Sequence, residues 1–301
     1  MQSNKDNIDL PKNLAEKMLS AQETYDFISY RISSGKPFMA ARFGGSESKV
    51  IHSLAIKREK EVPREFRDEI KIKSGVTPPV GRVIKYFSYE SISAALRSDL
   101  MGLWKFSDDE SNKRQISLLS VAAPESLTDL DYLNPFIVRH AFQIAPWTSR
   151  LSGMRVLVVH PFTKSIDQQI KNIRNIPTIN EIWPTDISFT LLSPPITFAG
   201  ENTDSNWIDE LTKLKEKIYK TDFDICFIAA GAYGLPIAGF VKDLGKIAIH
   251  LGGSLQLLFG ITGSRWENQG YYDFSKLTGW IRPHAKEKPK LHQRIDASSY
   301  W

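Results

Sequence analysis

The sequence predicts an α/β fold: a Rossmann-like parallel sheet with helices on both faces, in a single domain. Three observations predict it. Apolar runs recur at Met154–Val159, Ile225–Ala230 and Ile247–Leu251. Runs this unbroken belong to strands covered on both faces. From residue 154 onward they alternate with amphipathic stretches in the order strand, helix, strand, helix, strand, helix, strand. That alternation calls for a doubly wound sheet with right-handed crossovers. Each run stops at Gly or Pro, where the backbone turns or lets a ligand approach. Parallel strands that end this way put their loops on one edge of the sheet, the edge where open α/β sheets bind ligands.

The elements follow in chain order. Residues 11–34 read as helical, with Ser20 and Glu23 as a capping box and Tyr25, Ile28 and Ile32 on one face. Gly35 ends that helix, and Pro37 opens a strand, Phe38–Arg42. Gly44 and Gly45 then turn the chain into a helix that carries Val50, Ile51 and Leu54 at core spacing. Residues 91–104 read as helix, 107–114 as a charged loop and 115–122 as a strand. Thr163 or Ser165 is placed to cap the helix of Ile166, Ile170 and Ile173. Phe189–Phe198 is apolar and broken by Pro194 and Pro195. Ser205 or Asn206 caps the helix of Ile208, Leu211, Leu214 and Ile218, with Asp209 and Glu210 in its first turn, where the dipole favours them. The domain is expected over 1–281, with the basic, Pro-containing segment 282–301 as a tail whose Tyr300 and Trp301 pack back.

Composition narrows the class. The chain of 301 residues has 42% hydrophobic and 24% charged residues, as an ordinary globular protein does. Its one cysteine, Cys226, lies inside an apolar run, so no disulfide framework exists and a reducing compartment is expected. The N-terminus is polar and lacks the apolar stretch of a signal peptide. No apolar run approaches the roughly 20 residues that cross a bilayer. A cytoplasmic location is the expectation. The net charge of +5 favours phosphate-bearing or membrane-surface partners only slightly, and no nucleic-acid partner is expected.

Several residues carry chemistry at the predicted ligand edge. Arg42 ends a strand, and Glu47 lies in the next helix's first turn. That carboxylate can hold a metal ion, orient a sugar hydroxyl or act as a base. It can equally be a dipole-favoured carboxylate in a surface ion pair with Arg42. His160 and His250 both stand at strand ends, and either can be a base or a hydrogen-bonded structural residue. The loop Gly231–Gly234 can cradle a phosphate at a helix N-terminus, as can the turn at Gly252 and Gly253. It lacks the glycine spacing of a dinucleotide fingerprint or a P-loop. Gln256 is polar within an apolar stretch. Arg265 and Trp266 form a pair able to bind a diphosphate and to stack on a base or sugar.

The segments Arg42-Phe-Gly-Gly-Ser-Glu47, Ile228–Gly231 and Leu244–Gly253 together resemble the GT-D class of bacterial glycosyltransferases. In that family an Arg-aromatic-Gly-Asp-Gly-Glu motif follows the first strand, and its carboxylates hold a divalent cation. Here Gly45 stands where the family has Asp, so only Glu47 remains of the pair. The chain also resembles uncharacterised proteins of bacterial surface-polysaccharide clusters over Trp147–Ile170, Asp222–Trp266 and the final Tyr-Trp. The resemblance implies a glycosyltransferase that carries sugar from a nucleotide-sugar donor to a glycan or lipid-linked glycan acceptor at the inner face of the membrane. It implies Glu47, His250 and His160 as catalytic residues. Arg42, Gly44, Gly231, Gly234, Gly252, Gly253 and Arg265 would bind the nucleotide, and Glu47 would hold Mn or Mg weakly. Two alternatives remain: a non-catalytic nucleotide- or glycan-binding scaffold, and another α/β transferase or hydrolase with a His base.

Overall fold

The computed structural model describes residues 8–267, 273–274 and 277–301. The polar heptapeptide at residues 1–7 lies outside them. One sheet of eight strands runs through the protein in the order β1-β4-β3-β2-β8-β7-β5-β6. The strands are β1 Met18–Leu19, β2 Phe38–Arg42, β3 Leu100–Leu103, β4 Ser126–Asp129, β5 Arg155–Val159, β6 Ser188–Leu192, β7 Ile225–Ile228 and β8 Ile247–His250. Every pairing is parallel. The four strands expected from the sequence near Phe38, Arg155, Ile225 and Ile247 therefore lie side by side in one parallel sheet.

Period-2 alternation sorts the strand residues into two cores. Met39, Ala41, Leu157, Cys226, Ile228 and Ala248 face one core, which the helices Gly81–Ala95, Trp207–Tyr219 and Gly234–Asp243 cover. Phe38, Ala40, Val156, Val158, Phe227 and Ile249 face the other, covered by Ala21–Ser33, Thr163–Asn172 and the 3-10 segment Gly252–Phe259. Burial on both faces is why these runs are apolar without interruption. The sheet order reverses where β2 meets β8, so a crevice opens beyond the C-terminal ends of those strands.

Several local readings change. The stretch 11–34 is not one helix. A short turn of helix ends at Ala15, the edge strand β1 follows, and the capped helix begins at Ala21 with its Ser20–Glu23 box intact. The helix expected over 91–104 is the end of Gly81–Ala95 followed by β3. Asp99 sets that break: its carboxylate accepts from the Met39 N–H at 2.8 Å and from Lys242 Nζ at 2.7 Å, which docks the next four apolar residues beside β2. A four-residue apolar run fits helix or strand equally by periodicity. The strand expected at 115–122 is instead helix Asp109–Ala122, started by Asp108, which accepts from the Ser111 N–H at 2.8 Å. Leu118, Leu119 and Ala122 are buried at helical spacing. Neither Thr163 nor Ser165 caps its helix. Glu287 from the C-terminal segment does so, accepting from the Lys164 N–H at 2.6 Å and the Ser165 N–H at 3.2 Å. Asn206 caps helix Trp207–Tyr219. No helix among the described residues is long and apolar enough to cross a membrane.

Candidate functional site

A cavity of about 360 Å³ opens at the C-terminal edge of the sheet, over the order reversal. Its size suits a small-molecule ligand. Arg42 and Glu47 enter from the end of β2, Trp104 and Phe106 from the end of β3, and His160 from β5. Gly231 comes from β7, and His250, Gly252 and Gly253 come from β8. Arg265 and the C-terminal residues Ile295, Asp296, Tyr300 and Trp301 form the remaining wall.

Arg42 stands out electrostatically. Its Nε is enclosed and has no hydrogen-bond partner. Its Nη1 donates to the carbonyl of Phe43 at 3.2 Å, and its guanidinium lies 5.2 Å from the Trp104 ring centroid. No ion pair among the described residues includes it, so the expected surface pair with Glu47 does not form. Burial pulls its pKa down, opposed chiefly by the charge of Glu47. A half-buried guanidinium without a contacting carboxylate is poised for an anion.

The bare Cα atoms around Arg42 and Glu47 make their positions available. A Cβ on Gly252, whose φ is +60°, would fall inside the Arg42 guanidinium. One on Gly44 would fall inside the Glu47 carboxylate. Ser46 Oγ donates to Glu47 Oε2 at 3.1 Å and is itself linked to Ser74 Oγ at 2.6 Å. The carboxylate thus keeps acceptor capacity toward the cavity.

The two cavity histidines have opposite polarity. His160 Nδ1 accepts the Phe162 N–H at 2.9 Å, so its proton sits on Nε2, which has no partner. His250 Nδ1 lies 3.2 Å from the carbonyl of Ile228, which can only accept, so Nδ1 carries the proton and Nε2 keeps its lone pair. Burial pushes each down to about 3, and the charge of Arg42 adds to this at His250. Both imidazoles are neutral: His250 keeps an acceptor in Nε2, whereas the Nε2–H of His160 is enclosed.

The remaining sequence candidates divide. Gly231 lines the cavity at φ +51°, with Ser74 backbone where its Cβ would be. Gly234 does not line the cavity. It gives room to the His250 ring, which lies against its Cα. Gly253 admits the Tyr300 ring in the same way. Arg265 lines the cavity but is engaged: it donates to Tyr300 Oη at 2.7 Å and pairs with Asp296 at 2.7 Å. Trp266 is only 5% exposed and packs edge-on against Tyr300, so it offers no stacking face. Gln256 is buried, and its Nε2 donates to the Thr262 carbonyl at 3.2 Å and the Tyr300 carbonyl at 3.3 Å.

The donor set does not fit a divalent cation. Among the described residues Glu47 is the one carboxylate at the cavity that no cation pairs. Glu69 is held by Lys49 at 2.6 Å and Lys73 at 3.1 Å, and Asp296 by Arg265 at 2.7 Å and Lys73 at 3.4 Å. Among the described residues no group of three or more His, Cys, Asp or Glu side chains gathers. Lys49, Lys73 and Arg265 on its walls are already ion-paired, and Arg42 is the cavity cation that no carboxylate among the described residues contacts, which favours an anion over a metal there.

Sequence reasoning missed Trp104, Phe106, Lys49, Lys73 and Asp296. Trp104 follows β3 at the ligand edge, and reading Leu100–Leu103 as a strand would have exposed it. Lys49 and Lys73 come from helices and carry no local signal.

No protein-family model matches the chain. No curated protein matches it. Among solved structures the chain is similar to a selenomethionine-substituted domain of unknown function 1792, at 13% identity and a TM-score of 0.42, over 90% of this chain and 92% of that one. It is also similar to a structure of the same highly conserved domain, described as having a distinct glycosyltransferase fold. There the identity is 12% and the TM-score 0.46, over 90% of this chain and 92% of that one.

Proposed function

We propose that the protein is a glycosyltransferase that moves a sugar from a nucleotide-sugar donor to a hydroxyl of a glycan or glycoconjugate, in the making of a surface polysaccharide. The observation that carries this reading is the unpaired guanidinium of Arg42 at the sheet's order reversal, lying across the bare Cα of Gly252. The leaving group of such a reaction is a nucleoside diphosphate, and its departure needs positive charge placed in advance. Arg42 supplies it, and the glycine turns at Gly231 and Gly252 also line the cavity.

The acceptor hydroxyl needs a hydrogen-bond acceptor and a base. His250 Nε2 orients the hydroxyl. It is a poor final acceptor for the proton, because burial and Arg42 oppose an imidazolium there. Glu47 takes the proton as the hydroxyl attacks the anomeric carbon and the bond to the diphosphate breaks. His160, neutral and with its Nε2 enclosed, does not serve as base. The acceptor is a glycan or a lipid-linked glycan, met in the cytoplasm at the inner face of the membrane. A catalytically silent scaffold is the second reading, favoured by Gly45 in place of the family's Asp.

Thermal-shift titration with nucleotide sugars, with and without manganese, followed by a turnover assay, tests the reading. A shift with a nucleotide sugar, lost in Arg42→Met, supports the donor site, and turnover then separates enzyme from scaffold. No shift with any nucleotide sugar or nucleoside diphosphate sinks both.

A further inference from the structure

The C-terminal residues form one wall of the anion cavity, and they do so under strain. Asp296, Ala297 and Ser298 have φ of 43°, 52° and 66°. Three consecutive non-glycine residues in the left-handed region persist only where surrounding contacts enforce them. The contacts that hold them are ionic at Asp296, which pairs with Arg265 at 2.7 Å and with Lys73 at 3.4 Å, and hydrogen-bonded beyond it, where the Arg265 N–H donates to the Ser299 carbonyl at 2.9 Å. These two cations face the same cavity as Arg42, and the charges of Arg265 and Asp296 both act on Arg42.

The closed position is fitted as well as strained. A Cβ on Gly253 would strike the Tyr300 ring, and one on Gly263 would strike the Ser299 and Tyr300 carbonyls. Arg265 lies 4.6 Å over the Tyr300 ring. The two ends are pinned. Glu287 caps the helix Thr163–Asn172, Trp301 Nε1 donates to the Glu287 carbonyl at 3.2 Å, and Arg282 Nη1 donates to the Trp301 carbonyl at 2.7 Å. None of the strands of the sheet includes a residue of this segment.

We infer that Asp296 is an internal stand-in for the ligand's anionic group, and that residues 295–301 form a strap which an arriving diphosphate displaces from Lys73 and Arg265. This rests on the anion site of the proposed function and adds its regulation. The Asp296 carboxylate holds Arg265 and shares Lys73 with Glu69. A diphosphate brings more charge and more acceptor oxygens to the same groups. Displacement lets residues 296–298 leave the left-handed region, which offsets part of the lost ion pairing. Apparent affinity is then the intrinsic affinity reduced by the fraction of time the strap is open.

The test uses full-length protein and inorganic diphosphate, read by calorimetry and by hydrogen exchange over 295–301. Asp296→Asn removes the competitor. It should bind diphosphate roughly three- to tenfold tighter and exchange faster in the strap without ligand. Ala297→Gly removes strain from the closed form, so it should bind diphosphate a few-fold weaker, on the order of two- to fivefold, and exchange more slowly. Wild-type strap exchange should rise when diphosphate is added. If wild type binds diphosphate and Asp296→Asn binds it no better, the strap is wrong while the anion site stands. Slower strap exchange on adding diphosphate also overturns it. If neither protein binds diphosphate, the anion site itself falls and the strap with it.

Discussion

Arg42 lies across the bare Cα of Gly252, and the two cannot both keep their places if Gly252 gains a side chain. The φ of +60° at Gly252 adds a backbone penalty to the collision. Gly252→Ala should therefore lower stability by about 1–3 kcal/mol and remove diphosphate binding, because the guanidinium must swing away. Chemical denaturation and calorimetry measure both. A variant that binds diphosphate as wild type does would separate Arg42 from the anion site.

Glu47 is partly exposed and accepts a hydrogen bond from Ser46 Oγ at 3.1 Å. Removing its charge alters little of the fold. Glu47→Gln should stop turnover while the melting temperature stays within about 3 °C, since such carboxylates contribute on the order of 1 kcal/mol or less. A large melting shift with turnover preserved would return Glu47 to a dipole-balancing role.

His160 and His250 also fix a pH dependence. Each is pushed from 6.5 down to about 3 in the folded chain. The unfolded chain therefore binds more protons between those values, and stability falls as pH drops from 6.5 toward 3. At pH 5 each histidine accounts for about 2 kcal/mol relative to pH 7. His160→Asn keeps an acceptor for the Phe162 N–H and should recover about 2 kcal/mol of that loss. Urea midpoints at both pH values decide it. An acid slope identical to wild type would show that His160 titrates normally.

Where residues act through local pattern, the sequence was readable. The strands at Phe38, Arg155, Ile225 and Ile247 carry unbroken apolar runs between turn residues, and they lie together in the sheet. The glycine turns put Arg42, Gly231 and His250 on one edge by topology alone. What escaped was non-local. The break before Leu100 depends on Asp99 reaching the backbone of Met39 and the side chain of Lys242, and the cap of helix Thr163–Asn172 comes from Glu287. The roles of the histidines turn on which backbone group each ring meets, which no spacing encodes. Gly234 was placed among phosphate-binding residues because a glycine near a helix start reads that way, yet its bare Cα makes room for an imidazole.

Asp131 is the acidic counterpart of those histidines, beyond the end of β4. Burial and the neighbouring Asp129 push it up to about 6, against the opposing charge of Lys105. A raised carboxylate favours the neutral form in the fold, so its penalty is absent below 3.8 and full above 6. The side chain is partly exposed, which reduces the full shift's worth to on the order of 1–2 kcal/mol. Asp131→Asn should stabilise the protein by that amount at pH 7.5 and by no more than about 0.5 kcal/mol at pH 4. Equal effects at the two pH values would mean the carboxyl titrates normally.

The cavity's charge pattern makes a last prediction about metals. A divalent cation bridging a diphosphate draws on one or two protein carboxylates besides the phosphate oxygens. Glu47 is alone, and the nearby Glu69 is held below its usual range: burial raises it, but the bonds from Lys49 and Lys73 outweigh that. To ligate a metal, Glu69 would have to give up both ammonium partners, leaving Lys49 and Lys73 partly buried and unpaired. Arg42 already supplies positive charge at the cavity. Nucleoside diphosphate affinity should therefore change less than about threefold between excess chelator and millimolar manganese, less than the weakest usual coupling between two ligands. Titrations under both conditions measure it. Binding lost with chelator and restored by manganese would mean that Glu47 and an acidic residue now tied to lysine form a metal site after all.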